Sequence, residues 1–403
     1  MNRKEIILLI TLASINFTNV MDFMIMMPMQ EFLEHSFYIT PKQFGLLVSA
    51  YAFSAFAASM TASFIVDRFD RKHVLLVAFF GLIIGTFACG VAPSYETLMA
   101  ARIVAGLFGG LISAQGLAIV GDTFPYEKRG RAMGFMMSGF VLASIIGVPS
   151  ALFIATRSDW QVPFICIGFL GLIIFSISYF IIPNLKGHIK SKEERNIFIV
   201  YQSVWKDRNQ QYALLMMLTL IFAHFAAIPF IAPFLTKNTG FLQSDLPFMY
   251  FFGGLFSLGS TPLIGKLSDK FGKHKVLAIL ILLSSIPVFL LTNLTREPVY
   301  RTLIVTTLFF IIAGGRMIPA QALATSVVPP HMRGGFMNLN SSLQQLALGL
   351  ASFIGGLIIS KDIKTGELQH FDVIGYISIG MSLVCLVFAM QVKATQVAQA
   401  DKV

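Results

Sequence analysis

The chain has 403 residues, of which 56% are apolar and only 12% charged, with a mean hydropathy of +0.75 and a net charge of +10. This is the composition of a polytopic membrane protein and excludes a soluble globular one. Apolar runs near 6–29, 44–66, 74–93, 97–120, 132–156 and 162–183, then near 212–236, 248–265, 276–292, 302–326, 335–360 and 373–392, predict twelve transmembrane helices. Each run is long enough to cross roughly 30 Å of hydrocarbon at about 1.5 Å per residue, where the backbone must close its hydrogen bonds internally.

The organisation expected is a six-helix bundle over 1–183, a connector over 184–211, a second bundle over 212–392 and a short polar tail over 393–403. The first run continues at spanning length without a small-residue cleavage site, which predicts an uncleaved anchor. With the N-terminus inside, twenty-one of the thirty basic residues fall on inner segments and seven on outer ones. Both termini are therefore expected in the cytoplasm, with the protein in a cell membrane of bacterial inner-membrane type. That orientation, with contact to anionic lipid, accounts for the net charge and leaves nothing for a nucleic-acid partner to explain.

Helix one carries Asn16, Asn19 and Asp22 at a spacing of three, one polar stripe on a helical face. A carboxylate among apolar residues marks a functional site by default, because its burial in lipid is costly. Met21, Met24, Met26, Met27 and Met29 surround it and read either as an adaptable apolar wall or as ordinary lipid-facing residues. Asp22 lies about 10 Å from the outer end of its helix and Arg102 about 8 Å from the outer end of helix four, so the two share a depth. The connector pairs a charged stretch, Lys186 to Arg195, with an apolar one, Ile197 to Tyr201, and predicts a short amphipathic helix on the inner surface.

In the second half, His224 and Arg316 are the ionisable groups inside helices. The histidine reads equally as packing or as a proton carrier. Arg316 has no acid within a second-half span to pair with, so it is expected to face an aqueous cavity. Asn338, Ser341, Ser342 and Gln345 form one face at the start of helix eleven. Cys89, Cys166 and Cys385 have no disulfide or metal spacing and read as packing residues. No Walker loop, zinc-protease helix or nucleophile elbow occurs, so neither an enzyme nor an ATP-driven pump is supported, and no cofactor or metal is expected.

Two segments recur half a chain apart. Asp67-Arg68-Phe69 with Arg71 and Lys72 is echoed by Asp269-Lys270-Phe271 with Lys273. Gly109-Gly110 followed by Ala114-Gln115 is echoed by Gly314-Gly315 followed by Ala320-Gln321. Two echoes in the same order argue for a duplicated six-helix unit.

At these residues the chain resembles the major facilitator superfamily, over essentially its whole length. The second-half loop matches the Gly-x-x-x-Asp-(Arg/Lys)-x-Gly-(Arg/Lys) signature at Gly265, Asp269, Lys270, Gly272 and Lys273, whereas the first-half copy has Ser63 and Asp70 in place of glycines. Arg102 and Gly106 match an Arg-x-x-x-Gly element, followed by Asp122, Pro125 and Arg129. Gly139, Gly147 and Pro149 look like a degenerate antiporter element.

The resemblance implies an all-α membrane fold of two pseudo-symmetric six-helix bundles, with helices one and four lining a cavity. It makes Asp22 and Arg102 a pair that is salt-bridged when Asp22 is ionised and released when it is protonated, or else a fixed structural pair. It makes Asp67, Arg68, Arg71, Asp122, Arg129, Asp269, Lys270, Lys273, Asn338, Ser341 and Gln345 gating residues, or else part of a solvated positive-inside surface. Solute contact falls to Asn16, Asn19, Asp22, Gln115, His224, Arg316 and Gln321.

The function expected is alternating-access transport of a small organic solute against protons, most similar to the drug and sugar efflux branch, by a monomer. An excess of intramembrane positive charge favours an anionic, zwitterionic or polar solute over a simple cation. Proton-coupled uptake, export of a lipid-like amphiphile and a transport-inactive receptor are the alternatives.

Overall fold

The structure, a computed structural model, describes residues 3–65, 69–124, 126–184, 197–329 and 332–393. Among the described residues, twelve helical spans are long and apolar enough to cross a membrane. The first is longer than its apolar run suggests. Helix α1 (Arg3–Ile25) gives way to a 3-10 turn at Met27–Met29, and α2 (Gln30–Phe37) continues from it. Pro28 causes the change, since it has no N–H to donate to the preceding turn. The bond that remains there runs from the Met29 N–H to the Met26 carbonyl at 3.1 Å.

Next come α3 (Pro41–Ile65), α4 (Arg71–Gly90), α5 (Tyr95–Thr123), α6 (Tyr126–Leu142), α7 (Val148–Ala155) and α8 (Val162–Ile181). The fifth span is α6 and α7 joined through one wide π turn, Ala143–Gly147. Helix α9 (Ile197–Lys206) precedes α10 (Arg208–Phe225), α11 (Ile228–Asn238), α12 (Leu246–Phe271) and α13 (Lys273–Thr292). The tenth span is α14 (Val299–Leu308), a second π turn at Phe309–Ala313, and α15 (Met317–Ser326). Helix α16 (Arg333–Ile358), a two-residue hairpin of β1 (Ser360–Lys361) and β2 (Leu368–Gln369), and α17 (Phe371–Gln391) end the described chain.

The helices group into two compact units, Met1–Ile39 with Ala50–Arg195 and Thr40–Ser49 with Asn196–Val403. The division falls inside the 184–211 connector, of which 185–196 lie outside the described residues. The first turns of α3 are counted with the second unit: a Cβ on Gly45 would meet the Ser352 carbonyl at 2.7 Å and Gly356 Cα at 2.9 Å, and Phe44 stacks edgewise on Phe230.

In the first unit the core joins α1, α4 and α5 through Leu9, Leu12, Phe79, Leu82, Ile112 and Ile119. Glycines set its spacing: Gly85 leaves no room for a Cβ against the Ala105 backbone. In the second unit α17 is tied to α10 by Ser378, whose hydroxyl donates to the Ala223 carbonyl at 2.5 Å. The Asn209 side chain bonds both the N–H and the carbonyl of Lys393 at 2.7 Å, and Asn238 does the same for Leu368 at 2.9 Å. The segments at Lys393 and Leu368 are thereby each held by an amide that satisfies two backbone groups at once.

Candidate functional site

Asp22 lies one turn before the end of α1, and Arg102 two turns into α5, whose start is fixed by a capping box between Ser94 and Thr97. Arg102 Nη1 donates to Asp22 Oδ2 at 2.9 Å and to the Asp22 carbonyl at 3.1 Å. Both side chains are 0% exposed. The two residues matched by depth in the sequence therefore form an ion pair closed off from solvent.

A polar shell surrounds the pair. The Thr86 hydroxyl, on α4, lies 2.8 Å from Asp22 Oδ1 and 2.9 Å from the Leu82 carbonyl, so its one hydrogen is shared between them. The guanidinium carbon stands 4.5 Å from the ring centroid of Tyr51, whose hydroxyl donates to Asn19 Oδ1 at 3.2 Å. The buried Cys89 thiol is beside Arg102. Arg102 Nε and Nη2 have no hydrogen-bond partner among the described residues. Arg102 is thus held by one carboxylate, one carbonyl and one aromatic face, and of these three the carboxylate is its counter-charge.

The rest of the polar stripe is connected to the same place. Asn16 Nδ2 donates to the Met136 carbonyl at 3.4 Å and its Oδ1 accepts from Ser113 at 3.5 Å. Gln115 is buried with its Oε1 unpartnered among the described residues. The motif glycines act through close approach: a Cβ on Gly106 would strike Ser54 Oγ and the Tyr51 carbonyl, and one on Gly147 would strike Met21 Sδ beside Asp22. Pro149 opens α7 directly after the π turn.

Tyr51, Thr86 and Cys89 are the members of this site that sequence reading missed. Thr86 and Cys89 sit at i, i+3 on α4, a spacing that puts both on one face. Only knowledge of the α1 and α5 partners turns that spacing into a signal.

The second unit holds a different arrangement. Arg316 does not face water, as its lack of an acid suggested; it is 0% exposed and is solvated by neutral groups. Its Nε donates to the Ala313 carbonyl at 3.1 Å and its Nη1 to Ser284 Oγ at 3.0 Å and Ser382 Oγ at 2.7 Å. The hydroxyls come from α13 and α17, distant in sequence, and compensate locally for the missing carboxylate. His224, near the end of α10, is half-buried, with its ring parallel to Phe309 at 5.8 Å and Phe225 edge-on at 5.3 Å. Gln321 is half-buried on α15.

Of the gating residues, Asp67 and Arg68 and the side chain of Arg129 lie outside the described residues. Arg71 Nε meets Asp122 Oδ2 at 2.5 Å, joining α4 to the end of α5. Asp70, which departs from the signature, caps α4 by accepting from the Lys72 N–H at 2.9 Å. Gly272 occupies the matching position before α13 with φ +92, a backbone conformation suited to glycine. A Cβ on Gly265 would meet nothing within 4 Å.

Asp269 and Lys270 are exposed and Lys273 half-buried; Asp269 has no ion pair among the described residues, and Lys270 lies over the Phe271 ring. On α16, Asn338 is exposed and Ser341 and Gln345 are half-buried. Ser342, on the same polar face, bonds to its own helix at the Asn338 carbonyl, 3.0 Å away. Its neighbour Asn340 is fully buried with both side-chain polar atoms unpartnered among the described residues, a feature no spacing argument indicated. No metal-binding group of three or more His, Cys, Asp or Glu occurs among the described residues.

The sequence profile of the Major Facilitator Superfamily matches residues 12–275 and 213–401. The MFS-type transporter YbcL of Bacillus subtilis is 23% identical over 362 residues, covering 90% of both chains. The inner membrane transport protein YdhP of Escherichia coli K12 is 24% identical over 352 residues, covering 85% of both. Among solved structures, a D-xylose-proton symporter superposes with a TM-score of 0.77 at 19% identity over 96% of each chain. A bacterial homologue of the human lysosomal transporter Spinster, inward-facing and occupied, does so with a TM-score of 0.70 at 16% identity over 97% of this chain and 95% of that one.

Proposed function

We propose a proton-coupled mechanism for this chain, which belongs to the Major Facilitator Superfamily and is a membrane secondary transporter of a small solute rather than an enzyme. Asp22 is the proton carrier and Arg102 its switchable partner. The observation that carries this reading is the pair itself, 2.9 Å apart with neither side chain exposed. A buried ion pair is a weak source of net stability, because desolvation offsets most of its Coulombic gain. Its place between α1 and α5, closed off from solvent, is better explained by use than by stability.

Protonation removes the carboxylate charge and with it the strongest bond to Arg102. The guanidinium keeps the Tyr51 face and the Asp22 carbonyl, which are weaker anchors. A proton therefore changes the relative energies of two arrangements of α1 against α5, which is the differential interaction an alternating-access step needs. Within the first unit we assign solute contact to Asn16, Asn19 and Gln115, and within the second to His224, Arg316 and Gln321.

The direction we favour is export, as in the drug and sugar efflux branch. What favours it is the resemblance of Gly139, Gly147 and Pro149 to an antiporter element; in the structure each glycine leaves no room for a Cβ against α1, at the Ala13 carbonyl and at Met21. The solute is anionic, zwitterionic or polar. We place both termini in the cytoplasm of a bacterial cell and the chain in its inner membrane, acting as a monomer.

The test uses proteoliposomes with an internal fluorescent pH probe, challenged with organic anions, sugars and amphiphiles. A solute that moves protons in wild type and not in Asp22→Asn is the expected result, and the sign of the signal separates antiport from symport. Equal proton movement in both proteins would remove Asp22 from coupling.

A further inference from the structure

Arg316 is the only charged side chain fully buried among the described residues of the second unit, and it is incompletely satisfied. A guanidinium has five N–H groups. One, on Nε, is taken by the Ala313 carbonyl and two, on Nη1, by Ser284 and Ser382. Both hydroxyls pass their own hydrogens back to the backbone, Ser284 to the Ile281 carbonyl and Ser382 to the Ser378 carbonyl, each at 2.8 Å, so they serve Arg316 purely as neutral acceptors. Nη2 has no partner among the described residues.

The turn whose Ala313 carbonyl accepts from Arg316 begins at Phe309, on which His224 stacks, and the His224 Nδ1 is also buried and unpartnered among the described residues. An uncompensated cation with one idle nitrogen of its own and a second on a neighbouring side chain is costly to bury and persists best where an anion completes it during the working cycle.

We propose that Arg316 and His224 anchor the carboxylate of an apolar monocarboxylic acid, which is the solute class of the transporter; this rests on the proposed solute-transport function. One oxygen accepts from Arg316 Nη2 and the other from His224 in its Nδ1–H form. A single buried cation sets the charge at one, which disfavours phosphate esters and dicarboxylates. The neighbours set the rest of the ligand: Phe309 parallel to the His224 ring, with Phe225 and Phe310 edge-on to that stack, is an apolar wall suited to an aromatic or aliphatic body.

Arg316 follows a π turn at Phe309–Ala313 and the pair Gly314-Gly315. Wide turns of this kind recur at functional sites in helices.

The experiment is thermal unfolding of the detergent-purified full-length protein at constant ionic strength with benzoate, hexanoate, their neutral amides or chloride. Benzoate and hexanoate are expected to raise the unfolding temperature of wild type with concentration, and the amides and chloride to leave it unchanged. Arg316→Lys keeps the charge but not the fork, and is expected to weaken the apparent affinity about tenfold. Arg316→Met is expected to fold and not respond; if it fails to fold, Arg316→Lys carries the comparison.

No carboxylate shift in wild type, equal shifts from the amides, an equal shift from chloride, or an unchanged response in Arg316→Lys would each overturn the proposal. The two readings fail separately: a carboxylate shift without Asp22-dependent proton movement removes proton coupling and leaves this site standing. Asp22-dependent proton movement driven only by uncharged solutes does the reverse.

Discussion

Asp22 and Arg102 depend on one another in a way that single and double substitutions separate. Arg102→Met leaves the buried Asp22 carboxylate without its counter-charge and, among the described residues, with the Thr86 hydroxyl as its one remaining side-chain partner, and is expected to cost about 3–5 kcal/mol of stability. Adding Asp22→Asn removes the stranded charge, so the double variant is expected to melt well above Arg102→Met; a double variant no more stable than the single one would mean the carboxylate is solvated by something else. Thr86→Ala deletes one shared hydrogen bond and is expected to cost about 1 kcal/mol.

The residue roles were unevenly legible in the sequence. Asp22 and Arg102 stood out because a charge inside an apolar run is too costly to bury without a use. Tyr51, Thr86, Ser284 and Ser382 did not, because hydroxyls inside membrane helices normally bond to their own backbone, as Thr86, Ser284 and Ser382 also do here. The Arg316 expectation failed for the same reason: its acceptors come from helices whose sequences give no sign of where they point.

At the scale of the helix, glycines decide how closely spans approach, and they differ in what opposes them. Gly106→Ala would push a Cβ into the Tyr51 carbonyl and Ser54, a backbone contact that cannot rotate away, and is expected to cost about 1–3 kcal/mol. Gly147→Ala meets only the Met21 side chain, which can change rotamer at about 0.5–1.5 kcal/mol. Melting temperatures should therefore fall further for Gly106→Ala; the opposite order would contradict the packing described. Gly272→Ala, at φ +92, is expected to cost about 1–3 kcal/mol through backbone strain alone.

Span number and order followed from apolar length. The two π turns and the extension of the first span to Phe37 did not, because a one-residue widening leaves no trace in composition and α2 is amphipathic rather than apolar. The signature loops were readable as a repeat, yet their two copies start the next helix differently, with an aspartate cap at Asp70 and a positive-φ glycine at Gly272.

For the molecule as a whole, the duplicated motifs do not make duplicated chemistry. The first unit pairs its buried arginine with an acid, and the second surrounds its own with serines. The first also links Arg71 to Asp122, whereas the corresponding end of the tenth span carries Val327 and Val328. Orientation is likewise a property of the whole chain, set by where the basic residues accumulate. A fluorescent protein fused after Val403 is expected to mature, and alkaline phosphatase at the same point to stay inactive; the reverse would invert the topology.

The most direct test of the central claim is the infrared difference spectrum of reconstituted protein on addition of a transported solute. The account predicts a change in the carbonyl band of a protonated carboxyl group in wild type and its absence in Asp22→Asn. The same band change in both proteins, or none in a wild type that transports, would contradict Asp22 as the proton carrier.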